Sequence, residues 1–262
     1  MKPSITSVNT SGGKPRVTLW AAAFWLALWQ AAAWWVDAPI LLVSPAAAVI
    51  RLAELMGEDG FWQACLFTVG RIFAGFLAGC LAGLLLAALA YRRGWVRQLL
   101  GPLVAAVKAV PVASFVILAL LWVSSRNLSV LVSGLIGFPI IYTNVLSGLE
   151  STDPKLLEMA RVFRVPFLRR LRGIYLTGVL PYLRSGMGIA MGLCWKSGVA
   201  AEVIGIPSGS VGERLYTAKI YLETADLFAW TLAVVLLSVG CEKLLRWGMD
   251  WAVKGAALCW RR

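Results

Sequence analysis

The sequence predicts an all-α, polytopic membrane protein with six transmembrane helices. Of its 262 residues, 60% are hydrophobic and 15% are charged, and the mean hydropathy is +0.77, which is outside the range of soluble globular domains. A helix needs roughly 20 apolar residues to cross the ~30 Å hydrocarbon layer of a bilayer. Six windows approach or reach that length: 17–36, 72–91, 103–123, 128–149, 185–204 and 227–247. We therefore expect one membrane domain over 17–252, between short tails at 1–16 and 253–262.

The distribution of positive charge supports this topology. The net charge is +12, which by itself is also compatible with nucleic-acid binding. If the N-terminus is cytoplasmic, however, 18 of the 25 Lys and Arg residues fall on the inner side, four on the outer side and three within spans. Such a bias follows the positive-inside rule and predicts that both termini are cytoplasmic. The basic charge thus indicates membrane topology and no nucleic-acid partner.

Local patterns define individual elements. The first window is uncharged and too long for a typical signal-peptide core, so we expect a retained span. Ser44 and Pro45 predict the start of a short helix on the outer surface. In the second span Gly75, Gly79 and Gly83 recur every four residues on one face, which allows another helix to approach closely. Packing within the bundle is favoured there over a contact between subunits.

Metal, haem and ATP sites have little support. The chain has no histidine, and its five cysteines are scattered without a CxxC pair, so neither a metal site nor a disulfide framework is indicated. There is no GxxxxGK[ST] motif to form a phosphate-binding loop. The sequence also lacks a nucleophile–base set and clustered carboxylates, which disfavours a membrane enzyme. We expect no cofactor in this chain.

Residues 150–182, which we call the charged segment, interrupt the apolar pattern. Asp153 and Pro154 predict a helix start, because Asp caps free N–H groups and Pro suits the first helical position. A short helix over 155–163 is expected to follow. A second helix is expected from Pro166 onward. The two helices, set at an angle and with apolar residues between cationic flanks, would suit a groove on a protein partner.

The end of that short helix is set by Val165 and Pro166, since a proline disfavours helix at the residue before it. Pro166 then opens a second helix, which we expect to end at Leu180 and Pro181. The alternative function for this segment is binding to anionic lipid, where each charge contributes ~1 kcal/mol. Lipid binding explains the arginines, which are Arg161, Arg164, Arg169, Arg170 and Arg172, but does not explain an ordered helix–break–helix.

The charged segment resembles the cytoplasmic loop of permease subunits of binding-protein-dependent ABC importers. In that family Glu-Ala-Ala is followed after three residues by Gly, and later by Leu-Pro. Glu158, Ala160, Leu180 and Pro181 match this pattern in register, whereas Met159 replaces an alanine. The resemblance extends over nearly the whole chain and is closest to importers of the nitrate/taurine/sulfonate type. Further matching stretches are SPAAAVIRLAEL, FTVGRIFAGFLAG, GLESTDPKLLEMA and VAAEVIG.

A second departure from the family pattern is Arg164, which stands where the glycine is usual. If that glycine takes a positive φ, arginine costs roughly 1 kcal/mol there. We therefore expect Pro166, and not residue 164, to set the turn.

The resemblance implies a type I ABC importer permease fold in the bacterial inner membrane. Its partners would be a second permease subunit (a homodimer), two cytoplasmic ATPases that carry ATP and Mg²⁺, an external substrate-binding protein and the lipid bilayer. The ATPases would grip the charged segment as a coupling helix. The residues that the resemblance places in this coupling role, with their neighbours, are Asp153, Pro154, Leu157, Glu158, Ala160, Arg161, Arg164, Pro166, Leu180 and Pro181.

Four residues are candidates for the translocation pathway: Lys108, Pro111, Lys196 and Glu202. A charge inside a span costs ~2.5–3.5 kcal/mol on insertion scales, so it is a functional candidate by default. Lys108 lies near an inner end and can reach the interface, whereas Lys196 lies near mid-span. We hypothesise that Lys196 favours an anionic or polar substrate, with a structural ion pair as the equal alternative. Glu202 is roughly 120° around the helix from Lys196 and is expected to pair with a cation on a neighbouring helix or a second subunit.

The sequence thus favours the membrane subunit of an ATP-driven importer of a small polar, possibly anionic, solute. The alternative is a secondary transporter coupled to an ion gradient, but six spans without a visible inverted repeat match it poorly. The transported solute stays open at this point.

Overall fold

The computed structural model describes residues 19–38 and 40–258, with side chains for 20–38 and 40–251. Every regular element in these ranges is a helix, which confirms the all-α prediction. The helices are α1 (Leu19–Val36), α2 (Pro45–Leu55), α3 (Phe61–Arg92), α4 (Gly94–Ala109), α5 (Val112–Ala119), α6 (Ser125–Glu150), α7 (Pro154–Val162), α8 (Phe167–Arg170), α9 (Leu176–Gly205), α10 (Val211–Ile220) and α11 (Thr224–Leu258). A π-helical turn, Leu171–Tyr175, joins α8 to α9.

Four helices among the described residues are long and apolar enough to cross a membrane: α3, α6, the continuous helix Phe167–Gly205, and the 224–251 part of α11. The pair α4–α5 is a fifth if it is counted as one bent span. Helix α1 lies within the first predicted span, 17–36, but it is not one of these four helices. The count of six spans and the predicted domain limits stay predictions.

The window 103–123 does not form one straight helix. Helices α4 and α5 meet at an angle of 102°, and Val110 between them is extended, with φ −71° and ψ 126°. Pro111, the residue that precedes α5, disfavours the helical conformation at Val110 and lacks the N–H that would continue the α4 ladder. Pro111 therefore marks a sharp bend, and a straight span does not form.

The centre of the bundle is α6, which packs between α3 and α9. A Cβ atom added at Gly79 would lie 2.5 Å from the carbonyl oxygen of Gly134, and one added at Gly75 would collide with the carbonyl oxygen of Val130. Only glycine permits this backbone approach. The interpretation of the glycine face as packing within the bundle is confirmed.

The sequence predicted that the second helix of the charged segment ends at Leu180 and Pro181, and this prediction is wrong. The helix continues through Pro181 to Gly205. A proline inside a helix removes one hydrogen bond, and here close packing against α6 compensates for that loss. A Cβ atom at Gly148 of α6 would lie 3.0 Å from the Cα atom of Val179, so the two helices are in backbone contact beside the proline.

At the end of the bundle that contains α2, Arg51 joins α2 to α11. Its guanidinium donates to both carboxylate oxygens of Asp226, at 2.5 and 3.1 Å, and lies 3.0 Å from Glu54 and 3.1 Å from Glu58. These hydrogen bonds, the one to Asp226 above all, raise the pKa of Arg51. Ser44 caps α2 as predicted. This end of the fold is therefore held by charged pairs as well as by packing.

Candidate functional site: the charged segment and the exposed face of α9

The short helix predicted in the charged segment forms as α7. The carboxylate of Asp153 accepts a hydrogen bond of 2.9 Å from the backbone N–H of Lys155, and Pro154 occupies the first helical turn. Both features satisfy or remove N–H groups that lack a partner inside the helix. Helix α7 thus has a well-defined start immediately after α6.

The turn after α7 is built on Arg164, whose φ is +49°. The N–H of Val165 donates to the carbonyl of Ala160 at 2.9 Å, and the N–H of Arg164 donates to that of Arg161 at 3.1 Å. This pair of bonds is a Schellman motif, in which the position held here by Arg164 is usually glycine. The expectation that Pro166 replaces residue 164 in setting the turn is wrong, because the hydrogen bonds of the motif stabilise the left-handed conformation at an arginine.

Arg164→Gly is expected to raise the free energy of unfolding by about 1 kcal/mol, since glycine adopts positive φ without the Cβ penalty. Arg164→Ala is the matched control, because it removes the same side chain but keeps the Cβ atom. The measurement is the thermal unfolding midpoint of each variant in detergent. Equal midpoints for the Gly and Ala variants would contradict a left-handed residue 164.

The free surface of α7 carries an apolar cluster; the sequence predicted apolar residues between cationic flanks in this segment but not which of them are exposed together. Val162 and Phe163 are 78% and 75% exposed, and Leu156 and Met159 are nearly half exposed, whereas Ala160 is fully buried. The only sequence signal was the presence of large apolar residues beside exposed arginines in a segment outside the spans. Large apolar side chains within a polar, charged rim are typical of protein–protein contacts.

The residues before and after α7, which form the base of this helix, contact other helices of the bundle. The guanidinium of Arg92, at the end of α3, lies 5.1 Å from the ring centroid of Phe167, and the rings of Tyr91 and Tyr175 are 5.9 Å apart. Arg97 of α4 pairs with Glu150 at the end of α6. The residues that flank α7 on both sides are therefore in contact with α3 and α4.

The ten predicted residues of the charged segment do not converge on one site. Those from Asp153 to Pro166 form α7 and its turn. Leu180 and Pro181 lie inside the long helix, level with the end of α6, because a Cβ atom at Gly178 would lie 3.4 Å from Oγ1 of Thr152. Leu180 and Pro181 therefore lie where the segment joins the spanning helices, and not beside the exposed residues of α7.

The four pathway candidates are also separate. Lys108 is exposed in the last turn of α4, and Pro111 is exposed at the bend that follows. Near this bend an apolar cavity of about 140 Å³ opens. Its lining is Ala106, Val107, Val110, Val112, Phe115, Val132, Leu135 and Ile136. Lys196 is exposed on α9, whereas Glu202 is fully buried.

One carboxylate oxygen of Glu202 is held by a hydroxyl group, and the other has no hydrogen-bond partner among the described residues. Oγ1 of Thr68 donates to a carboxylate oxygen of Glu202 at 2.7 Å and accepts from the N–H of Val211 at 3.0 Å. Among the described residues no ion pair includes Glu202. The prediction that Glu202 pairs with a cation is therefore wrong. Because Glu202 is completely buried within the chain, a second subunit cannot reach it. The Thr68 hydroxyl donates to its carboxylate in place of a cation. Glu202 links α9, α3 and the start of α10.

Glu202→Gln is expected to change the free energy of unfolding by less than about 1 kcal/mol, because the amide oxygen still accepts from Thr68 and no cation is left unpaired. Thr68→Val should cost about 1–3 kcal/mol, since it leaves Glu202 and the Val211 N–H without their partner. Thermal unfolding of both variants in detergent makes the comparison. A Glu202→Gln variant as unstable as Thr68→Val would indicate a charge partner after all.

Comparisons with known proteins agree with this arrangement. Residues 75–255 match the model of the family described as binding-protein-dependent transport system inner membrane component. The chain is 26% identical over 223 residues to the aliphatic sulfonates transport permease protein SsuC of Bacillus subtilis, covering 84% of this chain and 80% of that protein. It is 28% identical over 246 residues to the corresponding protein of Escherichia coli, covering 89% and 92%.

Two further comparisons extend this similarity. The taurine transport system permease protein TauC of Escherichia coli is 26% identical over 225 residues, covering 81% of this chain and 82% of that protein. The fold resembles that of an amino acid ABC transporter crystal structure, with a TM-score of 0.57 and 14% identity over 78% of this chain and 94% of that one. Since the family match covers well over half of the sequence, the chain belongs to the binding-protein-dependent inner membrane components and is a permease subunit of an ABC importer.

Proposed function

We propose that α7 is the docking element for a separate ATPase, which would bind the exposed cluster of Leu156, Met159, Val162 and Phe163. The observation that carries this proposal is the exposure of large apolar side chains outside the spans, on a helix whose base is fixed to the bundle. Glu158 and Arg161 lie exposed beside the cluster and would supply the polar rim. The ATP and Mg²⁺ would belong to the ATPase.

The long helix Phe167–Gly205 supports a mechanical role for this contact. Its 39 residues correspond to about 58 Å at 1.5 Å per residue, enough to run from the docking element through the bilayer. Closure of two ATPases would move the two α7 helices of a permease dimer and tilt α9 in each copy. The pathway between the copies would then open alternately to each side.

The proposed orientation places α7 in the cytoplasm. The end of α3 at Arg92 lies beside Phe167, while its other end, at Phe61, stacks on Trp230 near the start of α11 at a centroid distance of 4.9 Å. The side with α7 carries most of the positive charge, as expected for a cytoplasmic face. An external binding protein would meet the opposite side, where α2 and α10 lie.

For the substrate we propose a small anionic solute. Relatives are named for aliphatic sulfonates and for taurine, which both carry a sulfonate group. Another relative is named for riboflavin, so family membership by itself does not select the anion. Coupling to an ion gradient, the alternative from the sequence, has no support in these comparisons.

Co-purification tests the proposal. The chain would be co-expressed with ABC ATPases of its own genome, and the complex isolated through a tag on the chain. A stable complex whose ATP hydrolysis responds to a binding protein is the expected result. If α7 bound anionic vesicles and none of the ATPases, lipid binding would be the better explanation of the charged segment.

A further inference from the structure

Helix α9 has one face that the described part of the chain leaves uncovered. Its exposed residues recur every three or four positions: Ser185, Ile189, Leu193, Lys196 and Ala200. Beside them, Gly188 and Gly192 have no atom within 4 Å of the position that a Cβ would take. Lys196 therefore lies at the centre of an open stripe, and not in a crevice between helices.

The depth of Lys196 makes a lipid-facing position unfavourable. It is nine residues before the end of α9 at Gly205 and eleven after Ser185, or about 13 and 16 Å along the helix axis. In a ~30 Å hydrocarbon layer this is close to the midplane. A lysine side chain of roughly 6 Å cannot carry its ammonium group to either interface from there. The stripe must therefore face water or a second subunit.

No carboxylate of this chain is available to neutralise Lys196. All 13 Asp and Glu residues lie in the described ranges, and no ion pair with Lys196 is formed there. Four of them lie within the spanning helices away from their first turns. Glu202 is buried, Glu150 pairs with Arg97, Glu242 pairs with Arg246, and Asp250 pairs with Arg184 at 2.5 Å.

A second identical copy also lacks a carboxylate at this level. Nε1 of Trp195 donates to the carbonyl of Val234 at 3.1 Å, which places Val234 of α11 near the level of Lys196. The nearest acidic residues of α11, Asp226 and Glu242, are each eight positions from Val234, or about 12 Å along the axis. A negative charge opposite Lys196 would therefore have to come from outside the permease chain.

We propose that Lys196 forms an anion-binding position in the translocation pathway, which selects small solutes carrying a sulfonate or carboxylate group. The inference rests on the proposed permease function. The ammonium group attracts the anion in a site shielded from bulk water, where charge interactions are stronger than in solution. Ile189 and Leu193, on the same stripe, contact the apolar part of the solute. In a dimer two copies of Lys196 contribute, and an anion relieves their mutual repulsion.

The test measures local anion attraction without assuming a particular substrate. Leu193→Cys, one turn from Lys196, is prepared in the complete complex in lipid nanodiscs. It is treated with an anionic sulfonatoethyl methanethiosulfonate or its cationic trimethylammonium analogue, and modification at position 193 is followed by mass spectrometry. The ratio of anionic to cationic reaction rates is then compared in three backgrounds: unchanged, Lys196→Met and Lys196→Arg.

We expect Lys196→Met to lower this ratio at least tenfold and Lys196→Arg to preserve it. A ratio unchanged by Lys196→Met would overturn the anion site, and so would failure of both reagents to reach Leu193→Cys in any nucleotide state. Either result leaves the ATPase contact intact. Loss of the ATPase from the unmodified complex would instead contradict the proposed function.

Discussion

Phe163→Asp should remove the ATPase from the purified complex while leaving the permease folded. Phe163 is 75% exposed, so the substitution removes little packing within the chain. Central aromatic residues of protein interfaces commonly cost 2 kcal/mol or more on truncation, and a buried unpaired carboxylate adds a further desolvation cost. We expect the dissociation constant to rise at least about 30-fold, measured by titration of detergent-solubilised permease with the ATPase.

The matched control is Tyr221→Asp. Tyr221 is 70% exposed and also ends a short helix, but it lies after α10 at the opposite end of the bundle. Its substitution should preserve ATPase binding. Equal loss of binding in both variants, or none in Phe163→Asp, would show that α7 is not the docking element.

Gly75→Val should prevent folding of the bundle. A Cβ atom at Gly75 would collide with the carbonyl oxygen of Val130 and lie 3.0 Å from the Cβ atom of Ser133. The obstacle is backbone, so a change of rotamer cannot relieve it, and α3 and α6 must separate. Because these helices form the centre of the fold, we expect a cost at or above the upper end of the 1–3 kcal/mol typical of overpacking.

Gly70→Val is the control for Gly75→Val, because it lies five residues earlier in α3 and has no atom within 4 Å of an added Cβ. The yield of monodisperse protein in size-exclusion chromatography, with the thermal midpoint, separates the two variants. Gly75→Val should aggregate while Gly70→Val should behave as the unchanged protein. Similar behaviour of both would contradict the α3–α6 contact.

Three prolines near or within the spanning helices, Pro111, Pro139 and Pro181, show which parts of this fold can be predicted from the sequence. Helical periods, caps and apolar windows predict the class, because membrane helices must satisfy their own backbone groups. Pro111 ends α4 in a bend of 102°, whereas Pro139 and Pro181 lie inside continuous helices. Nothing local distinguishes the three residues. The difference arises from packing between distant segments, such as the contact between Gly148 and Val179.

The same limit applies to the candidate sites. The motif around Glu158 located α7, because a helix start and stop are local signals. The environment of Glu202 was not predictable, since its partner Thr68 is 134 residues away in sequence. The exposure of Val162 and Phe163 likewise depends on which face of α7 turns toward the bundle. Arg164 has a positive φ, a conformation that favours glycine, so the residue that sets the turn was predicted wrongly from the sequence.

The most direct test is solute uptake by the reconstituted transporter. Proteoliposomes containing the permease and its ATPase, with ATP on the α7 side and the binding protein on the other, are supplied with radiolabelled taurine and alkanesulfonates. We expect accumulation of at least one of these that requires ATP, the binding protein and an intact Phe163. Accumulation driven by an ion gradient in liposomes containing the permease chain alone would contradict the assignment of α7 as the point where an ATPase drives transport.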